Sequence, residues 1–152
     1  MAGQYYERVY GEKYDHNLTT TEIAKLVRNE ITAEVKAGRL PKGKYSVRSE
    51  YFAGGSVIDA RISNLDVKAV YNQEYVEAVA KGEDTARYTF MNEIYTQEVR
   101  AVRDRVDAML RAYNHDGSDS MSDYFDVKFY QHVNFDWSWT EPILKAAVEA
   151  VK

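Results

Sequence analysis

The stretch "KGKYSVRSEYFAGGSVIDARISN", residues 42–64, decides the fold of this chain. It contains two runs in which apolar and polar residues alternate, and a period of two is typical of strands with one buried face. Gly54 and Gly55 separate the runs, and a Gly-Gly pair between alternating runs predicts a β-hairpin. We therefore expect antiparallel strands at residues 44–52 and 56–63, with one apolar and one polar face.

The polar face of this hairpin would hold a tight group of charges. With Gly-Gly as the two-residue turn, Arg48 is expected opposite Arg61, and Glu50 opposite Asp59. Like charges directly across a sheet destabilise it by a fraction of a kcal/mol, and diagonal contacts between opposite charges offset part of this. This arrangement of charges is tolerable but not optimal for stability alone.

A third strand is predicted from "SDYFDVKFYQHVNF", residues 122–135, where apolar and polar residues also alternate. The helix-containing connection that leads to it favours a parallel crossover, whereas a place beside the first strand gives antiparallel neighbours. We expect the second arrangement, with strand order 2-1-3. "RYTFM", residues 87–91, is a candidate fourth strand.

Helical periodicity fills most of the remaining chain. Thr19 and Glu22 have the spacing of a capping box, and an apolar stripe then continues to Gly38, where the helix should end. Further helices are expected at about residues 66–81 and 92–113. A final helix is expected at 141–151, capped by Thr140 and with Pro142 in its first turn.

These elements predict an α+β fold, an antiparallel sheet of three to four strands with helices packed on one face. The chain of 152 residues is long enough to bury one core without cross-links. We expect a Tyr-rich N-terminal arm at residues 1–18 and a single domain at 19–152. Within that domain, residues 66–92 are interpreted as a helical insertion and the helix at 141–151 as an addition.

The composition excludes several classes of protein. The absence of Cys excludes disulfide scaffolds, zinc sites built from thiolates and cysteine nucleophiles. The net charge of −4 argues against a general nucleic-acid coat, which needs a basic footprint. An apolar run of roughly 18 residues is not found, and the N-terminus is too polar for a secretory signal. We expect a cytoplasmic protein without a membrane partner.

The 13 tyrosines against 5 phenylalanines are typical of binding surfaces, because a tyrosine ring offers a large contact area and a polar tip. Many of these rings are nevertheless expected to be half-buried packing residues whose hydroxyls reach water.

Motifs that would carry catalysis are not found. His16, His115 and His132 have neither HExxH nor HxH spacing, and the Gly-Gly pair joins two strands rather than opening a phosphate-binding helix. We expect no cofactor and no enzymatic activity.

The loop from Asp116 to Asp126 also contains Asp119 and Asp123, and clustered carboxylates suit Ca²⁺ or Mg²⁺. EF-hand spacing is absent, however, and the same residues are typical of a loop between a helix and a strand. A metal-dependent enzyme built on this loop is the third alternative, and we expect no metal site.

The predicted polar face is the candidate binding site. Cationic and aromatic residues on an open sheet are typical of modules that stack single-stranded nucleic acid. Interspersed acids favour a protein partner instead, because electrostatic complementarity sets specificity in protein interfaces. A solvated face without a partner is the remaining interpretation. The candidate residues are Arg48, Glu50, Asp59, Arg61, Tyr124, Lys128, Tyr130 and His132.

Two segments carry a family resemblance, "KYSVRSEYFAGGSVIDARISN" and "VRAVRDRVDAML…DGSDSMSDYFDVKFY". Together they resemble a domain family found in large polyvalent proteins of bacteriophages and other mobile elements. The resemblance covers residues 19–135, and residues 66–92 depart from it. It implies a phage, prophage or plasmid origin and a role in host takeover or counter-defence. It carries no catalytic residues over, because no such site is established for the family.

The sequence therefore predicts a non-enzymatic accessory protein of a phage or mobile element that binds a host protein or nucleoprotein complex in the host cytoplasm. Inhibition of a defence nuclease complex, as anti-CRISPR proteins do, is one concrete version. The alternative is a nucleic-acid-binding module that uses the same face. The oligomeric state is left open.

Overall fold

The computed structural model describes residues 8–118 and 126–152, and all structural statements refer to these residues. They form an α+β structure with two sheets. The elements in chain order are β1 (Val9–Tyr10), α1 (Thr20–Lys36), β2 (Lys44–Phe52), β3 (Gly55–Ser63), α2 (Gln73–Ala80), α3 (Ala86–Phe90), α4 (Gln97–Arg111), β4 (His115–Asp116), β5 (Tyr130–Phe135) and α5 (Trp137–Val151).

The main sheet has three strands in the order β2-β3-β5. The predicted hairpin is confirmed as the antiparallel pair β2-β3, but the expected order 2-1-3 is wrong, because β5 lies parallel to β3 and not beside β2. A parallel neighbour reached through helices is what a crossover connection produces. On the other side, Arg28 of α1 donates a hydrogen bond of 2.6 Å to the carbonyl oxygen of Val47, so a helix side chain binds one backbone group of β2.

The hairpin turn lies one residue earlier than expected. Phe52 pairs with Gly55, so the two-residue turn consists of Ala53 and Gly54 and not of the two glycines. Gly54 has a φ of 90°, which the second central residue of a type II turn requires. The change moves the register by two residues, and each side chain therefore stays on its predicted face.

This register changes the charge pairs. Arg48 lies directly across from Asp59, and Glu50 lies across from Val57. The expected Arg48–Arg61 and Glu50–Asp59 pairs are therefore wrong. Opposite charges now lie directly across the two strands, so the like-charge repulsion that the sequence suggested is absent from these two pairs.

The last strand is shorter than the predicted 122–135, because β5 begins at Tyr130. Val127 forms only an isolated bridge with Asp116, and residues 122–125 lie outside the described residues. Two further strands, β1 and β4, pair antiparallel in a small second sheet that the sequence did not predict. The candidate fourth strand at 87–91 is not formed, because helix α3 occupies that segment.

The first helix confirms its capping signal. The Thr19 hydroxyl accepts a hydrogen bond from the Glu22 amide at 3.1 Å, and the Glu22 carboxylate accepts one from the Thr19 amide at 3.4 Å. By contrast, α2 and α4 begin later than the expected starts at residues 66 and 92. The backbone ahead of these helices is paired instead, since Tyr71 and Tyr95 form a β-bridge.

The final helix begins earlier than expected, at Trp137. Asp136 and not Thr140 caps it, and its carboxylate accepts a hydrogen bond of 2.9 Å from the Ser138 amide. Pro142 consequently lies inside the helix and not in its first turn. Thr140 is buried, and its carbonyl oxygen accepts a hydrogen bond of 3.2 Å from the Tyr71 hydroxyl.

Helices α1 and α4 cover one face of the main sheet and bury the apolar side chains of the strands. A second cluster, around Val70, Tyr71 and Val76, packs against α5. No helix among the described residues is long and apolar enough to cross a membrane. The main core contains Ile23, Val27, Ile31, Val47, Ile58, Ala60, Ile62, Val102, Val106, Leu110 and Phe129.

Candidate binding face

The side of the main sheet opposite α1 and α4 is the polar face. It follows from the alternation along each strand, which sends every second side chain away from the core. Arg48, Glu50, Arg61 and His132 are all exposed on it. The polar face consists of Lys44, Ser46, Arg48, Glu50 and Phe52 from β2, Val57, Asp59, Arg61 and Ser63 from β3, and Tyr130, His132 and Asn134 from β5.

The observed strand order places β3 at the centre of this face. Asp59 consequently lies between Arg48 on one side and His132 on the other. Six of the eight predicted site residues share this face. Arg48, Asp59 and His132 form its middle row, and Arg61 lies beside Asp59 along β3.

The next row toward the hairpin turn is Glu50, Val57 and Tyr130, again with the β3 residue in the middle. An apolar side chain here separates the acidic Glu50 from the tyrosine ring. The polar face therefore changes character along its length, from charged near Arg61 to partly aromatic near the turn.

Lys128 is not among the residues that the structure brings together on this face. Lys128 precedes β5, and its Nζ lies 3.4 Å from the carbonyl oxygen of His16 and 5.6 Å from the centre of the Tyr14 ring. It thus contacts the segment before α1, because the alternation predicted from the sequence does not continue as a strand at this residue. Tyr124 lies outside the described residues.

The turn end of the polar face carries a pair of aromatic rings, which we call the aromatic pair. The rings of Phe52 and Tyr130 stack with their centres 6.0 Å apart. They lie over Gly55, where a Cβ atom would come within 3.3 Å of the Phe52 ring and 3.6 Å of the Tyr130 ring. Sequence reasoning missed Phe52 as a site residue, although its parity in the strand placed an aromatic side chain on the polar side. Phe52 is 47% exposed.

The opposite end of the face contains a small depression of about 230 Å³, which we call the basic groove. Arg61 lies beside Asp59, with 3.5 Å between Nη2 and Oδ2. Hydrogen bonds from Ser138 hold the pKa of the Asp136 carboxyl below its usual value, and the nearby positive charges of Arg61 and Lys44 lower it further. The groove is lined by Lys44, Ser46, Arg48, Asp59, Arg61, Ser63 and Asp136.

A larger cavity of about 1000 Å³ lies between the small sheet, the end of α4 and the start of β5. His115 lines it with a side chain that is 9% exposed, and burial lowers the pKa of its imidazole. Its Nδ1 is 3.8 Å from the carboxylate of Asp126, which is itself bound by Arg8 at 2.7 Å. The Tyr10 and Tyr14 rings pack on the imidazole, so the surroundings of His115 are those of a packed histidine.

The aspartate loop expected as a possible cation site is only partly described. Asp116 accepts a hydrogen bond of 2.8 Å from the Ser118 amide, and Asp126 is bound to Arg8. Asp119 and Asp123 lie outside the described residues. Across residues 8–118 and 126–152, no group of three or more His, Asp or Glu side chains is arranged to hold a metal ion.

Comparison with known proteins gives no relative for this chain. No family model matches it, and neither the curated proteins nor the solved structures contain a significant match. The resemblance to the phage-associated domain family therefore stays a prediction, and so does the division into an arm and one domain.

Proposed function

We propose that this chain is a non-enzymatic binding protein that docks a protein partner on the polar face. The observation that carries the proposal is the combination on one sheet surface of exposed charges of both signs and the aromatic pair. Aromatic residues and arginine contribute most to binding energy in protein interfaces. The polar face supplies both types within three neighbouring strands.

The charges on this face contribute little to folding. The Arg61–Asp59 pair spans 3.5 Å with side chains that are 58% and 40% exposed, and exposed pairs of this kind contribute about 0–1 kcal/mol. Arg48 forms no ion pair with any described residue, although Asp59 lies directly across from it. Charges that do not stabilise the fold are free to be matched by a partner.

The distribution of charge favours protein over nucleic acid. Glu50 and Asp59 lie among the cations of the polar face, and the whole chain has a net charge of −4. A run of phosphates would be repelled by these acids, whereas a protein surface offers both signs of charge at discrete positions. The aromatic pair favours single-stranded nucleic acid as the second candidate, since bases stack on exposed rings.

The family resemblance supports the biological setting. A protein delivered with phage or plasmid DNA would act in the host cytoplasm on a host protein or nucleoprotein complex. Counter-defence inhibition of a nuclease complex is the version we favour. Such a role requires that the chain occupy a surface of its target, and it requires no catalytic activity of the chain.

Charge reversal on the polar face tests the proposal. The double variant Arg48→Glu/Arg61→Glu should lose capture of specific proteins from a bacterial lysate at least about tenfold, because two like charges would face the partner's acids. The control Lys25→Glu/Lys68→Glu makes the same change of charge on exposed residues that are not part of the polar face and should retain capture. Proteins bound are identified by mass spectrometry. Equal capture by both double variants would remove the polar face as the docking surface.

Both double variants should unfold within about 1 kcal/mol of the parent chain, because all four positions are exposed. Single-stranded oligonucleotides provide the other arm of the test. Binding that falls steeply with salt and is lost in the Arg48→Glu/Arg61→Glu variant would support the nucleic-acid alternative in place of a protein partner.

A further inference from the structure

The basic groove contains more positive than negative side chains, and the excess is not neutralised within the fold. Lys44, Arg48 and Arg61 supply the positive charges, while Asp59 and Asp136 supply the negative ones. Only the Arg61–Asp59 contact forms an ion pair inside the groove as far as the described residues go. Lys44 and Arg48 are therefore available to an incoming anion.

The negative groups of the groove are already engaged. Asp136 accepts hydrogen bonds from the amide and the hydroxyl of Ser138 at 2.9 and 2.7 Å, in its role as the cap of α5. Asp59 is held near Arg61. Neither carboxylate lies within ion-pair distance of Arg48 or Lys44, so neither occupies the place that a ligand anion would take.

The basic groove is large enough for one side chain of a partner but small for a cofactor. Its volume of about 230 Å³ is below the roughly 300–1,000 Å³ that is typical of pockets for cofactors and drug-sized ligands. The hydroxyls of Ser46 and Ser63 line it together with the cations, so its walls offer hydrogen-bond donors in addition to charge. Donors and cations together fit a carboxylate, which accepts up to four hydrogen bonds.

The groove and the aromatic pair lie at opposite ends of the same face. Ser46 lines the groove and Phe52 belongs to the aromatic pair, and both are on β2. Six residues of strand correspond to about 20 Å. An extended segment of a partner, about six residues long, therefore reaches from one feature to the other.

We propose, on the basis of the binding function above, that the partner contributes an acidic peptide segment whose carboxylate enters the basic groove between Lys44 and Arg48. An apolar side chain about six residues away in that segment packs on the aromatic pair. A phosphodiester backbone fits less well, because Asp59 and Asp136 would face its neighbouring phosphates. A single carboxylate brings only one negative charge into the groove, whose three cations, Lys44, Arg48 and Arg61, exceed its two acids, Asp59 and Asp136, by one.

Selection from a displayed library of random 12-residue peptides tests this inference without knowledge of the natural partner. Peptides selected on the parent chain should be enriched in Asp or Glu, with an apolar residue about six positions away. Their Kd should rise at least about tenfold on Lys44→Gln/Arg48→Gln and stay unchanged on Lys25→Gln/Lys68→Gln. Replacing the peptide's acid by its amide should cause the same loss, and the two changes should not add, as expected for groups in direct contact.

The other outcomes separate this inference from the proposed function. Peptides without acids that lose binding on Phe52→Ser but not on Lys44→Gln/Arg48→Gln would overturn the groove inference and leave the face as the docking surface. A failure to select any peptide, or selected peptides that are insensitive to both Lys44→Gln/Arg48→Gln and Phe52→Ser, would overturn the groove inference. The proposed function then depends on the lysate capture by the Arg48→Glu/Arg61→Glu variant. Tighter binding of a dT12 oligonucleotide than of any peptide, lost on Lys44→Gln/Arg48→Gln, would replace the acidic peptide by nucleic acid. Thermal unfolding confirms that each variant is folded.

Discussion

Replacing Asn114 by Ala is expected to destabilise the protein far more than the loss of one polar side chain usually does. The side chain is buried between the end of α4 and the approach to β5. Its Oδ1 accepts hydrogen bonds from the amides of His115, Lys128 and Phe129 at 3.0, 3.0 and 3.3 Å. Its Nδ2 donates to the carbonyl of Phe129 at 2.8 Å and to the side chain of Gln131 at 3.1 Å. One side chain therefore holds the backbone that leads into β5.

The magnitude follows from the groups that the substitution leaves unpaired. Three backbone amides and one backbone carbonyl lose their partner, and a buried unsatisfied group costs about 1–3 kcal/mol. Asn114 lines the cavity of about 1000 Å³, so water replaces some of these bonds. We therefore expect a loss of about 3 kcal/mol, which for a chain of this size lowers Tm by roughly 6–12 °C.

Urea unfolding followed by circular dichroism measures this loss, and amide hydrogen exchange locates it. The amides of Lys128 and Phe129 should exchange faster in the Asn114→Ala variant. Asn29→Ala, an exposed substitution on α1, is the matched control and should change the free energy of unfolding by less than about 0.5 kcal/mol. A loss below about 1 kcal/mol in Asn114→Ala would refute the reasoning, because water would then replace the whole network.

Two further predictions test the hairpin and the buried tyrosines. Gly54→Ala should lower the free energy of unfolding by about 1–2 kcal/mol because of the φ of 90°. Gly55→Ala should cost less, since the atoms nearest the added Cβ are ring atoms of Phe52 and Tyr130, and the Phe52 side chain is exposed. Equal costs in urea unfolding would contradict the observed register. Burial raises the pKa of Tyr45 and of Tyr71 to about 12. The folded state then keeps these protons more tightly than the unfolded state, so the contribution of the two tyrosines to stability should be constant below about pH 10 and fall between about pH 10 and 12. An unfolding free energy that does not fall in that range would contradict the raised pKa of both hydroxyls.

The first helix and the two faces of the hairpin were predictable because their signals are local. The capping box of Thr19 and Glu22 is a pattern of four residues, and the structure contains both of its hydrogen bonds. Face assignment depends only on parity along a strand, so it survives a register change of two residues. That is why Arg48, Asp59 and His132 lie together on the polar face, although the details of their pairing differ.

The helix-containing connection favoured a parallel third strand, as the structure has it, but the expected strand order was wrong because the sequence does not show which sheet edge is free. Arg28 lies on the exposed side of α1. The residues around it in the sequence do not indicate that its side chain binds the carbonyl oxygen of Val47 on β2. In the structure, β5 pairs with β3. Lys128 was misplaced for a related reason, since the side-chain oxygen of Asn114 takes its amide before the strand begins.

The polar face depends on the strand order as much as on the alternation. With β3 central, side chains from β2 and β5 are two strands apart, and they meet only where β3 presents no side chain between them. Gly55 is that place, and it is there that the Phe52 and Tyr130 rings stack. The Gly-Gly pair therefore has two separate roles. Gly54 makes the turn and Gly55 makes room for the aromatic pair, so the residues that specify the hairpin also build one end of the proposed docking surface.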